Sequence, residues 1–357
     1  MYNLFRKLMF QLDPENAHRL TLSMLSNFPT IGNLFAKTNE TPASLTQTIW
    51  GLSFPHPFGL AAGLDKDAKA INGLFNCGFS FVEVGTVTPK PQPGNPKPRM
   101  FRLIQDEALI NRMGFNNLGS QSMAMHLSNC KRPGVVGVNI GKNKITKNDN
   151  ALEDYISCLE TLFEMADYIV LNVSSPNTPM LRDLQSEEMI CPLVEKVLAK
   201  RNELSSKVTN HRPPILIKLA PDLADGAIAS LGGKLMDLGI NGFIASNTTI
   251  QRDGLQSEHA HETGGLSGRP LQKRSTEIIR ILFQATKGRV PIIGSGGVFT
   301  ASDAYEKILA GASLVQVYTG FIYKGPSLIS ELIEGVSDRL KRDGFQTIGQ
   351  AIGKAAY

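Results

Sequence analysis

Lysine, asparagine and serine side chains stand where short apolar runs of this chain end. One run ends in Gly63-Leu64-Asp65-Lys66, a second in Asn172-Val173-Ser174-Ser175 and a third in Ser246-Asn247-Thr248. An asparagine amide presents a donor and an acceptor side by side, which suits the imide-like edge of a planar ring. Because lysine adds a cation, these residue types predict a site for a flat, amide-rich ligand that is neutral or anionic.

The same run ends disfavour several kinds of catalysis. They carry no histidine, no cysteine and no pair of carboxylates. Metal-dependent hydrolysis needs histidine or carboxylate ligands, a glycosidase needs two carboxylates, and a serine hydrolase needs a histidine beside its serine. On the residues alone, Ser175 could be a nucleophile or base, or it could simply cap a helix after a strand.

Lys218 lies inside the apolar run Ile215-Leu216-Ile217-Lys218-Leu219. A buried ammonium needs a carboxylate or an anionic ligand opposite it. The anionic edge of a reduced flavin would serve, and a lysine that forms a Schiff base is the competing interpretation.

Glycine-rich turns follow the later runs, at Gly268, at Gly296-Gly297 and at Tyr318-Thr319-Gly320. Such turns expose backbone N–H groups and often hold a phosphate, although glycines also serve as plain turn residues. Their occurrence at three run ends favours a phosphate-bearing cofactor.

The apolar runs themselves predict the fold. Each is continuous rather than alternating, as expected for parallel strands buried on both faces, and a helical stretch follows each run. The runs are Phe58–Gly63, Phe79–Thr86, Val135–Gly141, Tyr168–Ser174, Pro214–Ala220, Gly242–Asn247, Val290–Gly296 and Ala312–Thr319. Eight such units predict an α/β protein of the (β/α)8 TIM-barrel class. A doubly wound sheet is the alternative.

The rhythm breaks at about residues 89–112. Pro89 to Arg99 holds five prolines, and the apolar segments Met100–Ile104 and Ala108–Ile110 follow. We interpret this region as an antiparallel hairpin that lies over the mouth of the barrel.

Residues 1–45 form a separate segment, and residues 46–357 form the barrel. Apolar side chains at helical spacing predict a first helix to about Leu12. Asp13-Pro14 then starts a second helix, which Pro29 and Gly32 close. Two amphipathic helices with a basic flank fit packing on the barrel, and they also fit a contact with a membrane surface.

Composition limits the remaining classes. The 357 residues carry a net charge of +5 without a block of lysine and arginine, so nucleic-acid binding is not expected. The four cysteines, Cys77, Cys130, Cys158 and Cys191, form no Cys-x-x-Cys pair, so neither a zinc site nor a disulfide framework is expected. No apolar run is long enough to span a bilayer, and the start of the chain lacks the features of a signal peptide.

Four long motifs resemble the dihydroorotate dehydrogenases, specifically the quinone-dependent, membrane-associated class 2. They are Gly59-Leu60-Ala61-Ala62-Gly63-Leu64-Asp65-Lys66, Asn111-Arg112-Met113-Gly114-Phe115-Asn116, Asn172-Val173-Ser174-Ser175-Pro176-Asn177-Thr178 and Thr263-Gly264-Gly265-Leu266-Ser267-Gly268-Arg269-Pro270. The resemblance implies a barrel that binds one FMN and oxidises dihydroorotate to orotate, the fourth step of pyrimidine (UMP) synthesis.

The resemblance also implies roles for individual residues. Ser175 would remove the C5 proton of the substrate; class 1 enzymes have cysteine there. A relay through water and Thr178 would assist Ser175, and the loop from Pro176 to about Gln185 would act as a lid. The substrate set is Lys66, Asn111, Arg112, Met113, Gly114, Phe115, Asn172, Asn177, Asn247 and Thr248. The FMN set is Ala62, Gly63, Leu64, Asp65, Lys66, Thr86, Asn139, Asn172, Lys218, Ser246, Gly268, Gly297, Tyr318 and Thr319. His18, Arg102 and Tyr318 match positions near a quinone head group.

Partners and location follow from the same resemblance. Besides dihydroorotate and orotate, we expect a membrane quinone and a lipid surface contacted through the N-terminal helices. We also expect a monomer on the cytoplasmic face of a bacterial inner membrane. Another FMN barrel acting on a pyrimidine or hydroxy acid, and a non-catalytic barrel that binds a phosphate ligand, are the alternatives.

Overall fold

A computed structural model describes residues 2–36, 41–209 and 211–357. The strands are β1 Gln47–Ile49, β2 Leu52–Phe54, β3 Phe58–Leu60, β4 Phe81–Val87, β5 Met100–Leu103, β6 Ala108–Asn111, β7 Val135–Ile140, β8 Tyr168–Asn172, β9 Ile215–Leu219, β10 Gly242–Ala245, β11 Gly265–Gly268, β12 Ile292–Ser295 and β13 Leu314–Val317. The α-helices are α1 Tyr2–Gln11, α2 Pro14–Asn27, α3 Ile71–Phe75, α4 Ser120–Ser128, α5 Ala151–Leu162, α6 Glu187–Ser205, α7 Asp225–Asp237, α8 Gln272–Thr286, α9 Ala301–Ala310, α10 Thr319–Lys324, α11 Ser327–Arg342 and α12 Ile348–Ala351. Short 3₁₀ helices lie at Pro29–Leu34, Ala43–Leu45, Asn148–Asn150, Phe163–Met165, Leu181–Gln185 and Arg269–Leu271.

Eight strands close into a barrel in the order β3-β4-β7-β8-β9-β10-β12-β13. All pairs between neighbours are parallel, and the parallel pairing of β13 with β3 closes the cylinder. Every residue of these strands is buried, which explains why the sequence shows continuous apolar runs rather than alternation. The predicted barrel is therefore confirmed, and the doubly wound sheet is excluded. Each strand overlaps its predicted run, and β4 extends one residue beyond it, to Val87.

The amino-terminal end of the barrel is closed by a hairpin that the sequence did not reveal. Strands β1 and β2 pair across Trp50 and Gly51, both of which have positive φ, at 56° and 79°. Phe54 on β2 packs edge-on against Phe81, with ring centroids 5.5 Å apart. Because Trp-Gly is not one of the usual turn pairs, and the strands have three residues each, this hairpin gave no clear signal.

A small antiparallel sheet lies beside the barrel mouth. Strands β5 and β6 occupy the positions expected for the hairpin, and β11 pairs with β6 as a third strand. The third strand, Gly265–Gly268, was not predicted because three of its residues are too small or polar to resemble a strand. It connects the hairpin to the later part of the chain.

The N-terminal segment forms α1, α2 and the 3₁₀ helix Pro29–Leu34. Asp13 caps α2, and its Oδ1 accepts the N–H groups of Glu15 and Asn16 at 3.0 Å each. We expected Pro29 to end α2, but α2 already ends at Asn27. Pro29 instead begins the 3₁₀ helix. Met1 and residues 37–40 of the predicted segment lie outside the described residues. In the described ranges, no helix combines the length and apolar character needed to cross a bilayer.

Candidate active site

The carboxyl ends of the barrel strands surround a cavity, here called the strand-end cavity. The predicted residues on its wall are Ala62, Gly63, Lys66, Thr86, Asn111, Met113, Gly114, Phe115, Asn172, Ser175, Asn177, Lys218, Ser246, Asn247, Thr248, Gly268, Gly297, Tyr318 and Thr319. Residues that were not assigned to the substrate or FMN set also line it, among them Met100, Ser267, Leu271, Ser295, Val298 and Gln316. Met100 comes from the predicted hairpin, whereas Ser267 lies on the unpredicted strand β11 and Leu271 lies in the 3₁₀ helix that follows it. The motifs therefore converge on one space.

Four predicted residues do not lie on this wall. Leu64 faces a second cavity, and both carboxylate oxygens of Asp65 accept backbone N–H groups, from Lys69 and Ala70. The guanidinium of Arg112 turns outward to Glu262 and lies 4.6 Å above the ring of Phe101. Asn139 is fully buried beneath the wall. These positions favour supporting roles over direct ligand contact.

The amides at the strand ends are held in fixed orientations. Asn139 donates from Nδ2 to Glu83 Oε1 over 2.8 Å, so its Oδ1 must point the other way. That oxygen accepts the hydroxyl of Thr86 at 2.5 Å and the Nδ2 group of Asn172 at 3.2 Å. Asn172 in turn accepts from Nδ2 of Asn247 at 3.3 Å. The network fixes which edge of each amide faces the cavity.

Lys218 points at the strand-end cavity from β9. Its side chain is buried, and among the described residues no hydrogen bond to its Nζ is found. Burial lowers the pKa of this lysine, and the charge of Glu83 partly opposes that shift. A buried donor that faces a cavity without a partner is suited to an anionic ligand.

Lys66 supplies a second, half-buried cation. Its Nζ donates to the carbonyl of Gly63 at 2.7 Å, and it lies on the same wall as the asparagines. Burial lowers its pKa to about 8, against the opposing charge of Asp67. The side chain is therefore mostly protonated at neutral pH and can pair with a carboxylate.

Ser175 lies in the turn after β8. Its Oγ accepts the backbone N–H of Asn177 at 3.3 Å and is otherwise free to face the cavity. The hydroxyl of Thr178, three residues on, is buried and has no hydrogen-bond partner in the described part of the chain. Neither hydroxyl is hydrogen-bonded to a carboxylate or a histidine among the described residues, so Ser175 shows no Ser-His-Asp arrangement there.

Glycine turns form a further part of the cavity lining. Gly268 has φ of 108° and Gly297 has φ of 69°. A Cβ on Gly297 would lie 2.4 Å from Cα of Gln272, and one on Gly268 would lie 2.4 Å from the carbonyl of Glu107. These turns thus require glycine, and they leave a smooth backbone wall beside the hydroxyl of Thr319. Such a wall, together with Lys218, fits a flat ligand that ends in a phosphate.

A second cavity, the N-terminal cavity, lies under α1 and α2. It is mostly apolar, and its lining includes Phe5, Met9, His18, Leu22 and Arg102. Burial lowers the pKa of His18 to about 3, so its imidazole is neutral. The third residue predicted here, Tyr318, lies on the strand-end cavity instead. Met100 lines both spaces and forms their common wall.

Comparison with known proteins decides the family. A family model for dihydroorotate dehydrogenase matches residues 44–340. The chain belongs to the dihydroorotate dehydrogenase family. Relatives named dihydroorotate dehydrogenase (quinone) are 48% identical: one from Azotobacter vinelandii, over 94% of this chain and 97% of its own length, and one from Deinococcus radiodurans, over 99% and 100%. As a member of this family the protein is an oxidoreductase.

Solved structures agree with this assignment. The dihydroorotate dehydrogenase of Eimeria tenella in complex with ferulenol has a TM-score of 0.89 and 41% identity, and the alignment covers 96% of this chain and 95% of the other. The ligand-free form of that enzyme gives a TM-score of 0.87 and 40% identity, with 96% and 99% covered. The similarity in structure therefore extends over nearly the whole chain.

Proposed function

We propose that this member of the dihydroorotate dehydrogenase family oxidises dihydroorotate to orotate in the strand-end cavity and passes the electrons to a membrane quinone in the N-terminal cavity. One observation carries the proposal. Ser175, Lys66, Lys218, the oriented asparagines and the glycine turns all line one cavity, where Lys218 pairs in register with Asn172 on the neighbouring strand. The full-length similarity to quinone-type enzymes supports the choice of acceptor.

The residues on the wall match the edges of the substrate. Lys66 would pair with its carboxylate, while Asn111, Asn172, Asn177 and Asn247 would hold the amide edges of its ring. Because the amide network fixes these side chains before the ligand arrives, binding costs little side-chain entropy. Thr248, next to Asn247, completes the set.

FMN is the cofactor that fits the glycine turns and Lys218. The glycine turns at Gly268 and Gly297 would take its phosphate, and Lys218 would lie against the anionic edge of its ring system. When bound, a flavin supplies the acceptor for the two electrons that leave the substrate.

Ser175 acts as the base in this proposal. Its Oγ takes the proton from C5, which the neighbouring carbonyl group of the substrate acidifies. A serine hydroxyl is a weak base, so the proton must move on, and the unpartnered hydroxyl of Thr178 offers a route through water. The loop from Pro176 to Gln185 would cover the site and exclude bulk solvent.

The N-terminal helices would meet the lipid. Leu4, Leu8 and Leu12 lie at spacings of four residues on or just after α1, and their side chains are 68%, 56% and 40% exposed. Phe28 and Leu34 add exposed apolar surface. This face would dip into the cytoplasmic surface of a bacterial inner membrane, so that a quinone enters the apolar N-terminal cavity from the lipid. We propose a monomer, because each chain carries both cavities.

Colour tests the proposed function directly. We expect the purified protein to be yellow, with one FMN per chain, and to bleach when dihydroorotate is added without oxygen. Orotate or a 2-hydroxy acid should not bleach it. A folded protein that stays colourless when supplied with FMN would contradict the proposal, and bleaching by a hydroxy acid alone would redirect it.

Gly297→Ala should weaken flavin binding. The new Cβ would approach the backbone of Gln272 to 2.4 Å, so the turn must shift and its N–H groups would lose their alignment. We expect affinity for FMN to fall about tenfold or more, measured by flavin absorbance after dialysis. Gly226→Ala is the matched control, because nothing lies within 4 Å of its added Cβ. Equal flavin content in both variants would argue against a phosphate at this turn.

Binding of orotate should weaken as pH rises through about 8. The pKa of Lys66 is lowered to about 8 by burial, so the free enzyme loses this positive charge above that pH. An anionic ligand then loses its partner, and we expect affinity for orotate to fall roughly threefold to tenfold between pH 7 and pH 9. Titration of the flavin spectrum with orotate measures this. Lys66→Met should bind weakly without that pH dependence; a constant affinity in the unaltered protein would exclude Lys66 as the carboxylate partner.

A further inference from the structure

A buried ion pair joins the N-terminal helices to the small sheet. Arg99, just before β5, donates from Nη2 to Glu15 Oε1 at 2.7 Å and from Nε to Oε2 at 3.1 Å. Glu15 on α2 and Arg99 are 7% and 6% exposed. Lys97 approaches the same carboxylate from the solvent side at 3.3 Å. The two-point geometry holds the guanidinium in one orientation.

The guanidinium of Arg99 also makes hydrogen bonds that lead toward the strand-end cavity. Its Nη1 donates to the carbonyls of Pro93 at 2.7 Å and Asn95 at 2.8 Å. The side chain of Asn95 then donates from Nδ2 to the carbonyls of Arg112 and Asn177, each at 3.0 Å. Glu15 is thus connected to the loop after β8 by a short series of hydrogen bonds.

That series ends at groups that face the strand-end cavity. Asn177 donates from Nδ2 to Asn111 Oδ1 at 3.2 Å, and both residues lie on the cavity wall. Asn95 therefore holds the backbone of two segments, at Arg112 and at Asn177, whose side chains or neighbours would touch the substrate. The position of Asn95 is in turn set by Arg99.

We propose that Glu15 is a positioning residue for the substrate, acting from the N-terminal helices through Arg99 and Asn95 on Asn177 and Asn111. The inference rests on the proposed function, which places dihydroorotate in the strand-end cavity. Without Glu15, the buried guanidinium loses its counter-charge and must reorient or draw in water. The carbonyl of Asn95 then loses its donor, and the loop that carries Asn177 gains freedom. The N-terminal segment accordingly serves substrate binding as well as quinone access.

Charge at Glu15 is retained at neutral pH. Burial alone would raise the pKa of its carboxyl, but the hydrogen bonds and charges of Arg99 and Lys97 outweigh burial and hold that pKa below its ordinary value. Glu15→Gln therefore removes a charge while keeping the size and one acceptor of the side chain. It is the mildest change that interrupts the series.

The test uses the full-length, flavin-loaded protein with a soluble dye as electron acceptor, so that quinone access plays no part. We expect Glu15→Gln to raise KM for dihydroorotate about tenfold while kcat changes less than about threefold. Asn95→Ala, which leaves the ion pair intact, should raise KM in the same way. If Glu15 acts through Asn95, the double variant should be no worse than Asn95→Ala alone.

Asn76→Ala is the matched control. Asn76 also links the barrel to the N-terminal segment, through a hydrogen bond from Nδ2 to the carbonyl of Pro29 at 3.0 Å, but within the described residues it makes no hydrogen bond to the lining of the strand-end cavity. We expect its KM to be unchanged. An unchanged KM in Glu15→Gln or in Asn95→Ala, additive effects in the double variant, or a raised KM in Asn76→Ala would overturn the inference. Failure of the unaltered protein to oxidise dihydroorotate would instead overturn the proposed function.

Discussion

Replacing Ser175 with alanine should slow reduction of the flavin by dihydroorotate roughly a thousandfold. The reason is the setting of Ser175: its Oγ faces the cavity, and no histidine or carboxylate among the described residues stands ready to replace it. The measurement is the rate of anaerobic bleaching after rapid mixing. Flavin content and orotate affinity should stay close to those of the unaltered protein, because Ser175 is not part of the amide network that orients the asparagines.

Ser175→Cys is the matched variant for this prediction. A thiol has an ordinary pKa near 8.5, far below that of a serine hydroxyl, so a cysteine forms its basic anion more readily. We expect partial activity and a pH–rate profile displaced to lower pH. Normal bleaching in Ser175→Ala would exclude Ser175 as the base, and equal loss in both variants would indicate a steric role instead.

Removing residues 1–40 should abolish electron transfer to long-tailed quinones, with a loss of roughly a hundredfold or more. Helices α1 and α2 provide much of the lining of the N-terminal cavity, including Phe5, Met9, His18 and Leu22. Oxidation of dihydroorotate by a soluble dye should persist, although with a raised KM because Glu15 is lost as well. The comparison is between dye and quinone as acceptors in the same preparation.

A double substitution separates lipid contact from the cavity itself. Leu4 and Leu8 are exposed and do not line the N-terminal cavity, whereas Phe5 and Met9 do. Leu4→Gln with Leu8→Gln should reduce binding to phospholipid vesicles while sparing reduction of a short-tailed, soluble quinone. For the variant that lacks residues 1–40, continued turnover of long-tailed quinones would contradict quinone entry beneath α1 and α2.

The barrel could be predicted because parallel strands buried on both faces leave an unmistakable pattern of continuous apolar runs. The hairpin at Trp50 and the strand Gly265–Gly268 could not, since their short, glycine-containing segments form only when the rest of the fold supplies partners. Pairing with the distant strand β6 decides the strand Gly265–Gly268, and packing against the barrel, as between Phe54 and Phe81, supports the hairpin.

In the candidate site, too, one part follows from the sequence and another does not. Residues at strand ends reach one cavity because the topology brings all carboxyl ends together, so Lys66, Asn172 and Lys218 follow from the sequence. The orientation of the side chains at the strand ends does not follow from the sequence. Asn139 lies below the wall and Arg112 points outward because hydrogen bonds to Glu83 and Glu262 decide where those side chains go. The link from Glu15 to Asn177 spans distant segments and leaves no pattern in the chain.

The closed end of the barrel carries the protein's single tryptophan. The indole of Trp50 donates to the carbonyl of Asn241 at 2.7 Å and lies 6.0 Å from the ring of Tyr168. Since this is the end of the cylinder opposite the strand-end cavity, fluorescence from one indole reports whether the floor of the barrel remains assembled. Unfolding can thus be followed with an optical signal that is native to the molecule and located away from the chemistry.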